Sequence, residues 1–123
     1  PVDEDAKTRP FAEAEPGATG LELLLSLALK WSTETDAGLL RALTVLTSAP
    51  AQVMGSALGT LEASIGRLAE GGVADLCIFD PAATWTVQAD TLRSQGKHTP
   101  FSGYELPGRV RTTIVGGQVA YDA

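Results

Sequence analysis

Carboxylate side chains are the most numerous groups in this sequence that could do acid–base or metal chemistry. Two acidic clusters lie near the amino terminus, one at 3–5 (Asp3, Glu4, Asp5) and one formed by Glu13 and Glu15. Paired carboxylates can serve as general acid and base or bind a hard cation. The glycine-containing spacing of a calcium loop is missing, and two basic residues separate the clusters. The pattern therefore favours a solvated acidic loop over a catalytic pair.

The single histidine and the single cysteine are the other candidates for chemistry. His98 lies in a polar loop with no Cys, Asp or Glu within six residues, which favours an exposed structural residue over a general base or metal ligand. Cys77 lies in an apolar run that predicts a buried strand, where a thiol behaves as a small hydrophobe. One His and one Cys exclude a zinc site built mainly from these residue types. The sequence also lacks a phosphate-binding glycine loop and a nucleophile elbow.

Composition narrows the class of protein further. The 123 residues are enough for about one domain and too few for a (β/α)₈ barrel, which needs roughly 250. A net charge of −6 argues against binding to nucleic acid or to an anionic membrane surface. The sequence shows no signal-peptide pattern and no apolar run of the roughly 18–20 residues that a membrane span requires.

The first half of the chain is predicted to be a loop followed by helices. Residues 1–19 contain three prolines, which predicts either an ordered loop with Phe11 as its only large apolar anchor or a frayed terminus. The segment 20–31, GLELLLSLALKW, is apolar around most of a helical circumference, which predicts a buried helix. Glu22 and Lys30 lie where they complement the helix dipole.

Two further helices are expected before the apolar pattern changes from that of helices to that of strands. Thr35 or Asp36 is the predicted cap of the second helix, AGLLRALTVLTSA. Ser48 is the predicted cap of a short third helix, PAQVM, which Gly55 would end. The segment 56–65 is compatible with helix or loop.

Short apolar runs and period-two alternation predict strands in the second half. The segments are LCIF (76–79), TWTV (84–87), VRTTIV (110–115) and QVAY (118–121). Asp80-Pro81 should end the first of them, and Gly116-Gly117 should form the tight turn of a hairpin. Residues 88–108 are predicted to be a long loop, which in a compact domain is usually functional or part of an interface.

Four stretches of the sequence carry a resemblance to a known family. GGVADLCIFDP (71–81) and GRVRTTIVGGQVAYD (108–122) resemble the carboxyl-terminal end of the amidohydrolase superfamily. KHTPFSGYELPGRV (97–110) is similar to the dihydroorotase and hydantoinase branch, and DEDAKTRPFAEAEPGATGLELLL (3–25) narrows the resemblance to dihydroorotase. The first and last motifs are specific together, and the resemblance covers essentially the whole chain.

The resemblance implies an α+β fragment, the carboxyl-terminal third of a longer protein. Residues 1–55 would be the last loop and helices of a metal-dependent (β/α)₈ barrel, 56–65 a connector, and 66–123 a small β-domain. The parent β-domain normally also receives strands from the protein's amino terminus. Without them the piece would expose strand edges and should associate with itself or with the rest of the barrel.

The family's chemistry would lie mostly outside this chain. Dihydroorotases interconvert N-carbamoyl-aspartate and dihydroorotate with one or two zinc ions, whose ligands would all lie upstream of Pro1, as would the catalytic Asp. Val2 stands where the family has a substrate-binding His, and valine offers no donor. Pro16 and Gly17 match a loop that contacts substrate through main-chain groups. The chain itself is thus expected to hold no catalytic residue, no metal ligand and no cofactor.

The replaced histidine resembles a subgroup of catalytically silent dihydroorotase-like subunits that assemble with aspartate transcarbamoylase as a scaffold. The resemblance therefore favours a non-catalytic, cytoplasmic, oligomeric partner of that enzyme. Two alternatives stay open at this point. One is a working zinc dihydroorotase that tolerates Val2, and the other is a hydantoinase or allantoinase.

Overall fold

Three helices precede a three-stranded antiparallel sheet in the computed structural model, which describes residues 5–62 and 64–123. The helices are α1 (Leu24–Glu34), α2 (Gly38–Leu46) and α3 (Ser48–Met54), with 3₁₀ turns at Leu21–Leu23 and Gly55–Leu61. The strands are β1 (Leu76–Thr86), β2 (Glu105–Val115) and β3 (Gln118–Asp122), in the order β1-β2-β3. Helices followed by a small antiparallel sheet confirm the predicted α+β class.

The carboxyl-terminal hairpin forms where the sequence predicts it. Strands β2 and β3 are joined by Gly116 and Gly117, whose φ angles are 56° and 80°. Two consecutive positive φ values give the turn whose twist matches that of the flanking strands, and glycine adopts them without steric cost. Strand β2 begins at Glu105, so the connection from β1 is shorter at its carboxyl end than the predicted loop 88–108.

Strand β1 continues through Asp80-Pro81, and the predicted end at this dipeptide is wrong. The pairing register shifts between Asp80 and Thr84, so the proline lies in a bulged stretch where the ladder does not need its missing donor. The Asp80 carboxylate accepts hydrogen bonds from the amides of Ala82 and Ala83 at 3.0 and 3.3 Å. These bonds, led by that from Ala82, together with Arg111, hold the pKa of Asp80 below its usual range.

A small core joins the helices to the sheet. Leu23, Val87, Leu92 and Leu106 are buried together, and Leu27, Trp85 and Phe101 pack against them. Leu23 comes from the turn before α1, and Leu106 comes from β2. The start of the first helix is therefore fixed by packing against residues more than sixty positions away.

Helix α1 is buried on one side only, whereas the sequence predicts burial around most of its circumference. Leu29 faces the sheet, whereas Leu24 is 52 % exposed and Leu21, just before the helix, is 90 % exposed. Strand β2 packs on one face of the helix, so the expectation of a fully buried helix is wrong for the opposite face.

The predicted helix caps are wrong, although the predicted end of α3 is confirmed. The Thr35 hydroxyl donates back to a carbonyl of α1 at 2.8 Å, and Asp36 adopts a φ of 54°. Ser48 is the first residue within α3, not the residue before it. Gly55 ends α3 with a φ of 47°, a conformation that glycine adopts readily.

Ser26 stabilises the packing of α1 on the sheet, and its removal should be measurable. Its buried hydroxyl donates to the Gly108 carbonyl at 2.8 Å and accepts from Trp85 Nε1 at 3.2 Å. We expect Ser26→Ala to lower the free energy of unfolding by about 1 kcal/mol, because a buried bond between helix and sheet is lost. Ser32→Ala is the matched control, since that buried hydroxyl bonds a carbonyl of its own helix. Equal urea midpoints for the two variants would contradict the prediction.

Candidate functional site

The loop before α1 is closed by a lysine. The ammonium group of Lys7 donates to the carbonyl oxygen of Glu15 and to that of Gly17, the latter at 2.5 Å. The Glu15 amide in turn donates to the carbonyl of Ala6 at 3.1 Å, and Ala6 is buried. Residues ten positions apart are thus held together, and the segment between them forms a closed loop.

Pro16 and Gly17, the predicted main-chain contact residues, are exposed at the end of this loop. Gly17 has a φ of 110°, a backbone conformation that favours glycine. Val2, the other predicted site residue, lies outside the described residues. Phe11 is 99 % exposed, so the prediction that it anchors the loop is wrong. Lys7 holds the loop by hydrogen bonds instead.

The residues between this loop and α1 contact the long connection from β1 to β2. The Thr19 amide donates to the carbonyl of His98 at 2.8 Å, and the Thr19 hydroxyl donates to the carbonyl of Gly96 at 2.9 Å. His98 is exposed, as the sequence predicts, and it takes part in this contact through its main chain. The connection is therefore fixed at its middle and is packed beside the Pro16-Gly17 loop.

Glu22 provides a second attachment for the same connection. Its carboxylate accepts hydrogen bonds from the amides of Arg93 and Ser94, both at 2.9 Å. Partial burial acts to raise the pKa of Glu22, but the Ser94 hydroxyl, the two amides and the charge of Lys97 outweigh it. The net effect is a lowered pKa, so the carboxylate is the form that holds the connection. Glu22 thus attaches the connection to the start of the helix, a role that its place near the helix start does not reveal.

The other residues with possible chemistry do not come together. Cys77 is exposed on β1, so the prediction that it is buried is wrong, although partial burial raises the pKa of its thiol. Over residues 5–62 and 64–123, the structure brings together no three His, Cys, Asp or Glu side chains that could hold a metal ion. The described donor groups therefore do not fit a zinc centre. No helix in the same ranges is long and apolar enough to cross a membrane.

A loop closed by lysine, the helices that follow it and a small antiparallel sheet define an α+β fragment. The model of the amidohydrolase family matches residues 32–121, and the chain belongs to this family. Curated relatives are similar along nearly all of it. A dihydroorotase-like protein of Pseudomonas aeruginosa is 41 % identical over 122 residues, which are 99 % of this chain and 27 % of that protein. A dihydroorotase of Geobacter metallireducens is 41 % identical over 117 residues, 95 % of this chain and 26 % of that protein.

A solved structure agrees with the fold. The D-hydantoinase (dihydropyrimidinase) of a Thermus species superposes with a TM-score of 0.82 over 99 % of this chain and 26 % of its own, at 24 % identity. This likeness bears on the fold alone. The chain spans about a quarter of the length of the relatives that it matches.

The sequence does not reveal the contacts of two residues that matter to the site. Lys7 is one of the two basic residues between the acidic clusters, and Glu22 is a charge near a helix start. Their hydrogen bonds reach main-chain groups 8–10 and 71–72 positions away. A residue-type pattern carries no signal for main-chain partners at such separations.

Proposed function

We propose that this chain is the carboxyl-terminal part of a dihydroorotase-like protein of pyrimidine synthesis. We further propose that the parent protein is a non-catalytic scaffold partner of aspartate transcarbamoylase. The observation that carries the second proposal is Val2, where the family has a histidine that binds the substrate carboxylate. The similarity to dihydroorotases and dihydroorotase-like proteins along nearly the whole chain supports the first.

The physical weight of Val2 comes from the hydrogen bond that it cannot make. Valine has no donor, and losing a charge-assisted hydrogen bond to a carboxylate costs a few kcal/mol. That cost corresponds to a loss of affinity of about a hundredfold or more. A protein with this substitution can still fold and assemble, but it would bind the substrate carboxylate less tightly.

The exposed side of α1 supports the presence of more protein around this chain. Leu21 and Leu24 are more than half exposed on that side, and Trp31 is 41 % exposed. Apolar side chains at this spacing lie on one face of a helix, and a contiguous apolar face generally marks an interface. We propose that the remainder of the barrel covers this face in a cytoplasmic homo-oligomer, with zinc ligands, in active members, upstream of Pro1.

A working zinc dihydroorotase is the second candidate function. The Pro16-Gly17 loop, which Lys7 holds closed, favours an active enzyme, because the main-chain contact expected for substrate does not depend on Val2. In that case valine at this position is a tolerated variant. A hydantoinase or allantoinase is a weaker alternative, since the likeness to a D-hydantoinase bears on the fold alone.

The experiment that separates these functions uses the full-length parent protein. We expect it to co-elute with aspartate transcarbamoylase in size-exclusion chromatography and to show no turnover of dihydroorotate or N-carbamoyl-aspartate. Turnover of either compound would overturn the non-catalytic proposal. Turnover of hydantoin with neither of these compounds would favour the third function, and separate elution of the two proteins would overturn the scaffold role.

A further inference from the structure

The closed loop before α1 presents one large apolar side chain to its surroundings. Phe11 is 99 % exposed, the highest value among the exposed large hydrophobic side chains of the described residues. A phenylalanine removes roughly 150–250 Å² of surface from water when it is covered. Single exposed apolar side chains are common on protein surfaces, so the significance of this one depends on how the backbone holds it and on which groups lie beside it.

Hydrogen bonds hold the backbone on both sides of Phe11. The amides of Glu13 and Ala14 donate to the carbonyl of Pro10 at 2.8 and 3.0 Å, which closes a turn around Phe11. The proline ring restricts the backbone at the start of this turn. The carbonyl contacts of Lys7 then close the larger loop in which the turn lies. The ring is thus presented from an ordered backbone, and a contact with it does not require ordering of the loop.

Charged side chains lie close to Phe11 in the sequence and are exposed with it. Arg9 comes two positions before the phenylalanine, and Glu13 and Glu15 come two and four positions after it. Over residues 5–62 and 64–123, neither of these glutamates forms an ion pair. Their carboxylates are therefore available to basic groups on another surface.

These charges indicate what kind of surface covers the ring. Packing against the interior of the same protein would remove Arg9, Glu13 and Glu15 from water together with Phe11. Burying unpaired charges costs more than burying one ring gains. An interface between two proteins has a different pattern, with an aromatic anchor in a dry centre and charged groups in a hydrated rim. The loop fits that second pattern.

We propose that Phe11 is the anchor of a docking surface for a partner protein, which receives the ring in an apolar pocket with Lys or Arg side chains opposite Glu13 and Glu15. The net charge of −6 on this chain favours such a basic surface over the acidic surface of a second copy. The inference rests on the proposed scaffold function, which supplies aspartate transcarbamoylase as the partner. It adds the place on this chain at which the two proteins are held together.

The test measures the affinity of the full-length parent protein for aspartate transcarbamoylase by isothermal titration calorimetry. We expect Phe11→Ser to weaken binding by about thirtyfold or more, because an aromatic anchor carries a large share of the binding energy of an interface. Phe11→Tyr keeps the ring and should stay within about fivefold of wild type. Leu68→Ser is the matched control, since Leu68 is 85 % exposed outside the loop, and it should change affinity less than about twofold.

A second arm of the experiment tests the charged rim. The double variant Glu13→Gln with Glu15→Gln should weaken binding severalfold at low ionic strength and reduce the dependence of affinity on salt, because rim charges act through screened attraction. The double variant Glu62→Gln with Glu70→Gln removes the same charge from exposed positions outside the loop and should keep the salt dependence of wild type. Equal salt dependence of the two double variants would overturn the basic rim of the pocket.

The stability of the parent protein alone distinguishes a partner from the protein's own chain. Because a partner covers the ring only in the complex, Phe11→Ser should leave the urea midpoint of the isolated parent protein unchanged. A lower midpoint, or failure of the variant to fold, would show that the protein's own chain covers Phe11 and would overturn the inference. Equal affinity of wild type and Phe11→Ser, or equal losses in Phe11→Ser and Leu68→Ser, would overturn it as well.

Failure of this inference is separable from failure of the scaffold proposal. Absence of binding between the wild-type protein and aspartate transcarbamoylase would overturn both. Binding by wild type that persists unchanged in Phe11→Ser would overturn the docking role of Phe11 alone. Turnover of dihydroorotate by a wild-type protein that also binds aspartate transcarbamoylase would overturn only the non-catalytic part of the proposed function, and the loss of binding in Phe11→Ser would still decide the role of the loop.

Discussion

Replacing Gly108 with alanine should lower the free energy of unfolding by about 2–5 kcal/mol. Gly108 lies on β2 under α1 with a φ of 86°, where a side chain is strained by about 1–2 kcal/mol. A Cβ atom at this position would lie 2.3 Å from Cδ1 of Leu29, which is buried. Either Leu29 must leave its position or the helix must move away, and overpacking of this kind costs about 1–3 kcal/mol.

Gly103→Ala is the matched control for Gly108→Ala. Gly103 has a φ of 81°, and a Cβ built there meets no atom within 4 Å over the described residues. The control thus includes the backbone strain without the collision, and we expect it to cost about 1–2 kcal/mol. Urea denaturation monitored by circular dichroism gives both values, and equal losses would show that Leu29 yields to the new methyl group without cost.

A double-mutant cycle isolates the contact itself. Leu29→Ala removes the side chain with which the new Cβ collides, at a cost of its own of about 2–5 kcal/mol. In that background Gly108→Ala should cost no more than the backbone strain, so the two substitutions should be less than additive. Additive losses would place the effect of Gly108→Ala elsewhere than at Leu29.

Sequence patterns predict those parts of the fold that depend on neighbouring residues. The β2–β3 hairpin follows from alternating strand formers around Gly116-Gly117, and the end of α3 follows from Gly55. The strand end predicted at Asp80-Pro81 is wrong because the proline lies in a bulge. The pairing of β1 with β2 determines where that bulge forms. The burial of Cys77 was predicted wrongly because an apolar run does not say which faces of a strand a small sheet can cover.

The candidate site also depends partly on local sequence and partly on contacts between residues far apart in the chain. Pro16 and Gly17 could be selected from a short motif, and the structure places them at the exposed end of a closed loop. What closes the loop, Lys7, acts on carbonyl oxygens, which every residue carries and which sequence therefore cannot distinguish. The same holds for Glu22, whose partners are the amides of a connection that follows β1.

Glu22→Gln should lower the free energy of unfolding at pH 7 by about 1–3 kcal/mol. A carboxylate accepts from the Arg93 and Ser94 amides with both oxygens, whereas glutamine offers one oxygen and turns an NH₂ group toward the other amide. Hydrogen bonds to a charged acceptor are worth about 1.5–3 kcal/mol each when well shielded, and partial exposure of Glu22 reduces that value. Glu34→Gln is the matched control in the same helical region, because its exposed ion pair with Lys30 should contribute less than about 0.5 kcal/mol.

The pH dependence of this difference distinguishes the charged hydrogen bonds from simple packing. The pKa of Glu22 is lower in the folded state than in the unfolded chain. The ordinary pKa of a glutamate side chain is about 4.3. The stabilisation is therefore fully present above that value and is lost as the pH falls through the lowered folded pKa. Wild type and Glu22→Gln should differ at pH 7 and converge at the acid end of a series of urea melts, because protonation makes the wild-type side chain neutral as well. A difference that stays constant down to the acid end would mean that the charge of Glu22 does not hold the connection, and that the shape of the side chain does.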